Sequence, residues 1–276
     1  MDGLIATGAR IEKLWTSGAW LEGPAWIDSK LRFSDIPNNR IMEFDPAVHE
    51  TIVYSDNAEY ANGRTVDASG AAVQASHGRR AIERDAQGVL TTLVERWDGH
   101  RFNSPNDVVV ASDGSIWFTD PPYGIHESER EGHAGEQEYD GCYVFRFDGD
   151  VAVPMITDMV HPNGLAFSPD ETLLYVAETA QFWHPDVPLA IRAYDTTTWE
   201  GRVFVTPEDV ADGFRVAADG SVWTSSGAAV SIYSPAGELL QSIPFPERVS
   251  NLCFGGDGYL YVTASTSLYR LHLAAR

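Results

Sequence analysis

The chain has 276 residues, of which 43% are hydrophobic and 11% aromatic, a composition that excludes a disordered chain and supports a folded core. Its formal net charge is −21, with 40 acidic against 19 basic side chains. Such an acidic surface disfavours nucleic acid and membrane surfaces as partners. It is explained either by solubility alone or by carboxylates gathered near a cation site.

The first ten residues, Met1 to Arg10, contain no basic segment followed by an apolar stretch, so we expect no signal peptide. No segment approaches the ~18 continuous apolar residues of a membrane span, and the expected location is the cytoplasm. The two cysteines, Cys142 and Cys253, lie among apolar strand residues. A zinc site would need a cluster of Cys or His, so we expect two buried free thiols.

Residues 11–15 form a short β-rich stretch that precedes any repeat. After it a short polar motif occurs six times, and we call each copy an anchor. Successive anchors lie roughly 39 to 57 residues apart, close to the period of a propeller blade. The six anchors are residues 21–24, 61–63, 104–107, 161–164, 211–213 and 250–252.

Each anchor is followed by the pattern of a β-hairpin. In the third copy, Val108–Val110 leads through Asp113 and Gly114 into the β-branched and aromatic run 116–119. An Asp-Gly turn between such runs is a strong hairpin signal. Third and fourth strands follow, for example residues 191–194 and 201–205 in the fourth copy. The repeat therefore predicts four antiparallel strands per copy.

The last copy is one strand short, because the chain ends soon after its third strand at residues 268–271. We expect residues 11–15 to supply the missing outer strand, which hides a sheet edge and closes the ring. No stretch of ten or more residues has the apolar stripe of a helix. The sequence thus predicts an all-β fold: one six-bladed β-propeller domain over residues 1–276, with an N-terminal strand closing the last blade.

The anchors lie at the starts of the innermost strands, so their side chains are expected at the mouth of the central channel. Glu22, Asn106, Asn163 and Asp212 place two carboxylates and two amides at equivalent points of this ring. An all-oxygen set suits a hard cation such as Ca²⁺ better than zinc. Taken singly, Glu22 is also compatible with a surface position, and the other three with ordinary turn or cap residues.

Two long loops between second and third strands should cover the same mouth. They are residues 121–141 and 179–189, and long loops in a compact domain are usually functional or disordered. Tyr123 and Trp183 on these loops are expected to contact the substrate. His77, which follows the second strand of blade two, should reach the same face and is a further candidate contact, whereas most other histidines are expected in loops or hydrogen bonds.

Several longer stretches carry a family resemblance. They read LEGPAW (21–26), RFNSPNDVVV (101–110), WFTDPPYG (117–124), PNGLAFSPD (162–170), DG (212–213) and LCFGG (252–256). In order and over nearly the whole chain, these stretches resemble the SMP-30/gluconolactonase/LRE family, most closely its bacterial gluconolactonase branch.

The resemblance implies a six-bladed propeller holding one divalent metal, commonly Ca²⁺, with Mg²⁺, Mn²⁺, Fe²⁺ or Zn²⁺ as alternatives. The family's metal ligands are matched here by Glu22, Asn163 and Asp212. The family residue that corresponds to Asn106 binds metal or substrate, and the one that corresponds to Asp107 lies beside it in the site. One departure is Ala211, which stands where the family has a proline.

The implied reaction is the hydrolysis of a sugar lactone to an aldonic acid. The metal would act as Lewis acid on the lactone carbonyl, Asp212 or Asp107 would activate a water as general base, and Asn106 would orient the ring oxygens. The alternatives are an organophosphate (phosphotriester) hydrolase on the same metal site, a non-enzymatic calcium-binding propeller, and a metal-free synthase-like propeller, against which the ligand set argues. A monomer and a small homo-oligomer are both compatible with the sequence.

Overall fold

The computed structural model describes residues 4–126 and 130–275. Within them, six antiparallel sheets of four strands each form a six-bladed β-propeller, as the sequence predicts. Residues 1–3, part of the segment where no signal peptide is expected, lie outside the described residues. So do residues 127–129 of the predicted loop 121–141. No helix in the described part of the chain is both long and apolar enough to cross a bilayer.

The strands follow one another around the ring in chain order, and only the first is displaced. Before the first blade comes β1 (Glu12–Thr16). Blade one contains β2 (Leu21–Ile27), β3 (Lys30–Asp35), β4 (Arg40–Asp45) and β5 (Glu50–Ser55). Blade two contains β6 (Ala61–Val66), β7 (Ala72–Ser76), β8 (Ala81–Ala86) and β9 (Val89–Val94). A small hairpin follows, formed by β10 (Arg96–Trp97) and β11 (His100–Arg101).

The remaining blades repeat the arrangement. Blade three contains β12 (Val108–Val110), β13 (Ile116–Thr119), β14 (Val144–Phe147) and β15 (Ala152–Ile156). Blade four contains β16 (Pro162–Phe167), β17 (Leu173–Glu178), β18 (Ala190–Asp195) and β19 (Gly201–Val205). Blade five contains β20 (Phe214–Val216), β21 (Val222–Ser225), β22 (Ala229–Tyr233) and β23 (Leu239–Pro244). Blade six contains β24 (Val249–Phe254), β25 (Tyr259–Ala264) and β26 (Ser267–His272).

The N-terminal strand closes the ring. Strand β1 pairs antiparallel with β26, from Glu12 opposite Arg270 to Thr16 opposite Ser267, and becomes the outer strand of blade six. The Thr16 and Ser267 hydroxyls are 3.0 Å apart. The predicted closure by residues 11–15 is therefore confirmed, and it removes the edge that β26 would otherwise expose.

Helical structure in the described residues is confined to short turns. One α-helical turn, α1, spans Tyr123–His126, and 3₁₀ turns span Ile36–Asn38 and Ala180–Phe182. All three lie in the loops between second and third strands. These loops approach the channel mouth, so the turns serve to present side chains there.

The core lies between adjacent blades, where the apolar faces of their sheets pack together. Phe102, Phe118 and Phe145 are fully buried, and their ring centroids are separated by 5.0 to 5.4 Å. Cys142 and Cys253 are buried free thiols, as predicted. This packing fixes the blades against one another and thereby fixes the anchors around the axis.

Four of the anchors interrupt their strands with β-bulges. The pairing register shifts between Glu22 and Ala25 in blade one, and at the corresponding anchors of blades two, four and six. A bulge re-aims a side chain that the regular pleat would direct elsewhere. At the channel mouth it turns the polar anchor side chain toward the axis instead of into the space between blades.

Backbone hydrogen bonds join several pairs of neighbouring anchors. Gly164 donates to the carbonyl of Asp212 at 3.0 Å, and Gly63 donates to Asn106 at 2.8 Å. A Cβ on Gly164 would lie 2.3 Å from the Asp212 carbonyl oxygen, so only glycine permits this approach. In blades one, two, four and five a glycine follows the anchor side chain, and it sets how closely neighbouring blades converge there.

Candidate metal centre and substrate cavity

A cavity of about 430 Å³ opens at the channel mouth, within the range of roughly 300–1,000 Å³ typical of small-molecule sites. Its floor consists of anchor side chains: Glu22, Asn62, Asn106, Asn163 and Asp212. Its upper wall combines the apolar or aromatic residues Trp20, Ile36, Tyr123, Phe182 and Trp183 with the polar or charged residues Thr179, Arg130 and Glu131. The cavity therefore offers oxygen atoms below and aromatic faces above.

All four residues predicted as metal ligands line this floor. Glu22 is almost fully buried, and its Oε2 accepts hydrogen bonds from the Gly23 amide at 2.8 Å and from Asn251 Nδ2 at 3.0 Å. Its Oε1 is buried and has no hydrogen-bond partner among the described residues. A buried carboxylate oxygen without a partner is costly unless a cation or proton occupies the space before it.

The carboxylates of the floor interact unfavourably with one another. Burial and the Asp212 charge hold the pKa of Glu22 well above its usual range. Burial, with the charges of Glu131 and Asp107, raises the pKa of Asp212 to about 7. This accumulation of buried negative charge favours a positive charge at the same place.

Asp107 lies behind the floor and does not line the cavity. Its Oδ1 accepts from the Val108 amide at 2.9 Å, and its Oδ2 is 3.8 Å from Nη1 of Arg215. Burial raises the pKa of Asp107, and the Arg215 charge opposes that shift. The neighbouring residue Asn106, not Asp107, presents its side chain to the cavity.

Asn163 is fixed by a hydrogen-bond chain from the upper wall. Its Nδ2 donates to Oγ1 of Thr179 at 3.3 Å, and that hydroxyl donates in turn to the carbonyl of His161 at 3.2 Å. The Tyr123 hydroxyl lies 2.6 Å from the same Thr179 oxygen. The Asn163 side chain also hydrogen-bonds the Asp212 carboxylate, so it is held between the upper wall and the floor.

Tyr123 and Trp183, expected as substrate contacts, form the aromatic wall. Their rings meet edge to face with centroids 5.0 Å apart, and Trp183 contacts His161 in the same manner at 5.1 Å. Phe182 beside them is 59% exposed. An exposed aromatic surface at a cavity mouth suits the apolar faces of a small ring-shaped molecule.

His77 lies one layer behind the cavity wall. The ring is fully buried, with Nδ1 2.9 Å from the Glu131 carbonyl oxygen and Nε2 3.1 Å from Nδ2 of Asn62. Burial lowers the pKa of His77 to about 4, so the ring is neutral at ordinary pH. In this position His77 contacts two lining residues, Asn62 and Glu131, and does not itself line the cavity.

Several cavity residues had no role in the sequence-based site. Asn62 stands in an anchor but was not included among the ligands, and Thr179, Glu131 and Phe182 belong to the covering loops. The signal for Asn62 was present, because it precedes a glycine as Asn163 and Asp212 do. The loop residues carry no comparable pattern.

The donor chemistry of the floor fits a hard cation. Among residues 4–126 and 130–275, no group of three or more His, Cys, Asp or Glu side chains is arranged to hold a metal ion. That finding weighs against a zinc cage, whereas Glu22, Asp212 and the amide oxygens of Asn106 and Asn163 are the oxygen donors that Ca²⁺ prefers. The unpartnered Oε1 of Glu22 points to the same chemistry.

Known proteins share both the sequence pattern and the fold. A gluconolactonase of Zymomonas mobilis is 30% identical over 98% of this chain and 83% of its own length. The structure of a gluconolactonase from Xanthomonas campestris superposes with a TM-score of 0.91 at 37% identity, covering 98% of this chain and 91% of the other. A calcium-binding regucalcin of Agrobacterium tumefaciens has a TM-score of 0.75 at 18% identity, covering 98% and 94%, which demonstrates the shared fold alone.

The family model described as the SMP-30/Gluconolactonase/LRE-like region matches residues 20–266. This range runs from the first anchor to the last blade and includes the whole oxygen-lined floor. With these matches the chain belongs to the SMP-30/gluconolactonase/LRE-like family.

Proposed function

We propose that this protein is a sugar lactonase, a hydrolase that opens sugar lactones to aldonic acids with the help of a divalent cation. One observation carries the proposal: Glu22, Asn106, Asn163 and Asp212 converge on one cavity floor beneath an aromatic wall. The gluconolactonases of Zymomonas mobilis and Xanthomonas campestris, similar over nearly the whole chain, supply the substrate class.

The cavity fits a small, polyhydroxylated ring. Its floor supplies acceptor oxygens for hydroxyl groups, and Tyr123 and Trp183 supply flat apolar faces. Sugar rings combine an apolar face with a polar rim, so both kinds of surface contribute to binding.

The cation would be held by Glu22, Asn106, Asn163 and Asp212, with Ca²⁺ as the preferred ion. When bound, it would polarise the lactone carbonyl and stabilise the negative charge that develops on its oxygen. The two carboxylates would balance its two positive charges.

Asp212 is the better placed of the two candidate bases. It lines the cavity, whereas Asp107 lies behind Asn106 beside Arg215. A carboxylate oxygen of Asp212 would accept the proton of the attacking water, a contribution of about 10²–10⁴ in rate. Tyr123 would hold the ring in place, with its hydroxyl fixed by Thr179, and the acidic protein would repel the aldonate product.

The decisive experiment measures hydrolysis of D-glucono-δ-lactone by pH-stat, above the spontaneous rate. Chelator-treated protein should be inactive, and reloading with Ca²⁺, Mg²⁺, Mn²⁺, Fe²⁺ or Zn²⁺ should restore activity. Asp212→Asn should lose activity at every metal, while Asp150→Asn, which removes an exposed carboxylate, should not. Absence of turnover above the spontaneous rate with any metal, or turnover of a fluorophosphate in its place, would overturn the proposal.

A further inference from the structure

Asn62 occupies the same position in the ring as the proposed ligands. It lies in the bulged start of β6, immediately before Gly63, as Asn163 lies before Gly164 in β16. Its side chain is only 3% exposed and lines the cavity floor. The equivalent residue in blade six, Ser250, is occupied elsewhere because its hydroxyl bonds to the Leu21 carbonyl.

The orientation of the Asn62 amide follows from His77. The Glu131 carbonyl oxygen can only accept, so Nδ1 of His77 must carry the hydrogen in their 2.9 Å contact. In a neutral ring Nε2 is then an acceptor. The Asn62 atom 3.1 Å from it must be the donor Nδ2, which leaves Oδ1 on the opposite side of the amide.

That oxygen is buried without a partner among the described residues, like Oε1 of Glu22. The amide nitrogen of Asn62 is held by His77, and that of Asn163 is held by Thr179. The Asn163 side chain also hydrogen-bonds the Asp212 carboxylate. At Asn62, the His77 contact leaves the amide oxygen, and not the nitrogen, available to a cation.

We infer that Asn62 is a further oxygen ligand of the bound cation and that His77 is the positioning residue that orients it. The inference rests on the cation site of the proposed function and adds a ligand from blade two. A fixed neighbour that orients a metal ligand is typically worth 10- to 100-fold in metal affinity. The His77 contact is therefore expected to act on cation binding and not on folding alone.

The test measures Ca²⁺ affinity by isothermal titration calorimetry on chelator-treated protein, without substrate. Asn62→Ala should weaken binding about tenfold or more, and His77→Phe should weaken it in the same direction. Asn62→Asp, which keeps an oxygen in place, should bind within about threefold of wild type. The matched control is Asn103→Ala, which removes another buried amide with an unpartnered Oδ1 outside the cavity.

Calcium affinity unchanged in both Asn62→Ala and His77→Phe, or lowered equally in Asn103→Ala, would overturn the inference. Urea denaturation of each calcium-free variant separates weaker binding from loss of folding. If His77→Phe does not fold, the calcium affinity of Asn62→Ala alone tests the inference. The two proposals fail separately. A wild type that binds Ca²⁺ through Asn62 but hydrolyses no lactone refutes only the lactonase. A wild type whose lactone hydrolysis Ca²⁺ restores, with Ca²⁺ affinity unchanged in Asn62→Ala, refutes only the ligand role.

Discussion

Replacing Asp212 by asparagine should stabilise the metal-free protein above neutral pH. Burial raises the pKa of Asp212 from 3.8 to about 7, so between these values the folded state holds a proton that the unfolded state has lost. The contribution of Asp212 to the free energy of unfolding is therefore complete below about pH 4 and is lost as pH rises toward 7. A difference of about three in pKa corresponds to about 4 kcal/mol for a fully buried group. Since Asp212 is partly exposed to the cavity, we expect about 2 kcal/mol after solvent screening.

The assay is urea denaturation of chelator-treated wild type and Asp212→Asn at pH 5 and pH 8. Only the part of this loss between pH 5 and pH 7 falls in the interval, so wild type should lose about 1 kcal/mol relative to the variant. Loss of the Asp212 charge also eases the ionisation of Glu22, which acts in the same direction. Saturating Ca²⁺ should stabilise wild type at pH 8 and the variant far less. Asp150→Asn serves as the exposed-carboxylate control, and parallel pH profiles for wild type and Asp212→Asn would refute the reasoning.

Three further predictions concern the scaffold. Gly164→Ala places a Cβ 2.3 Å from the Asp212 carbonyl oxygen and should cost about 1–3 kcal/mol in unfolding free energy and weaken Ca²⁺ binding; unchanged values in urea denaturation and calorimetry would contradict the close approach. Leu268→Ala leaves a cavity at a fully buried site in β26 and should lower the free energy of unfolding, measured by urea denaturation, by about 2–5 kcal/mol. A loss below about 1 kcal/mol would instead show that the closing blade is loosely packed. Cys142 and Cys253 are buried, so a thiol reagent should label both rapidly only in denaturant, and fast labelling of the native protein would contradict their burial.

The fold could be predicted because each blade repeats the same local signals. Asp-Gly turns between β-rich runs marked the hairpins, and the incomplete last copy indicated a closing strand. The hairpin of β10 and β11 was missed although Asp98 and Gly99 form its turn. Its strands have two residues each, too few for a period-two pattern to be recognised.

The candidate site could be predicted only as far as the repeat extends. The anchors placed Glu22 and the other expected ligands on one floor, because equivalent positions of equivalent blades meet at the axis. The contact between His77 and the Glu131 carbonyl joins a blade to a covering loop 54 residues away. No local periodicity encodes such a contact. The position of His77 behind Asn62, and the orientation of the Asn62 amide, could therefore not be predicted from the sequence.

The backbone bonds between anchors have a consequence for how the protein assembles. Gly63 is bound to Asn106, Gly164 to Asp212 and Gly213 to Ser250, so neighbouring segments far apart along the chain are tied at their inner ends. A partially assembled molecule, with some blades formed and the circle still open, cannot bring Glu22 and Asp212 together. The proposed cation site would therefore be complete only when the ring of blades has closed, and a calcium titration followed during refolding would test this.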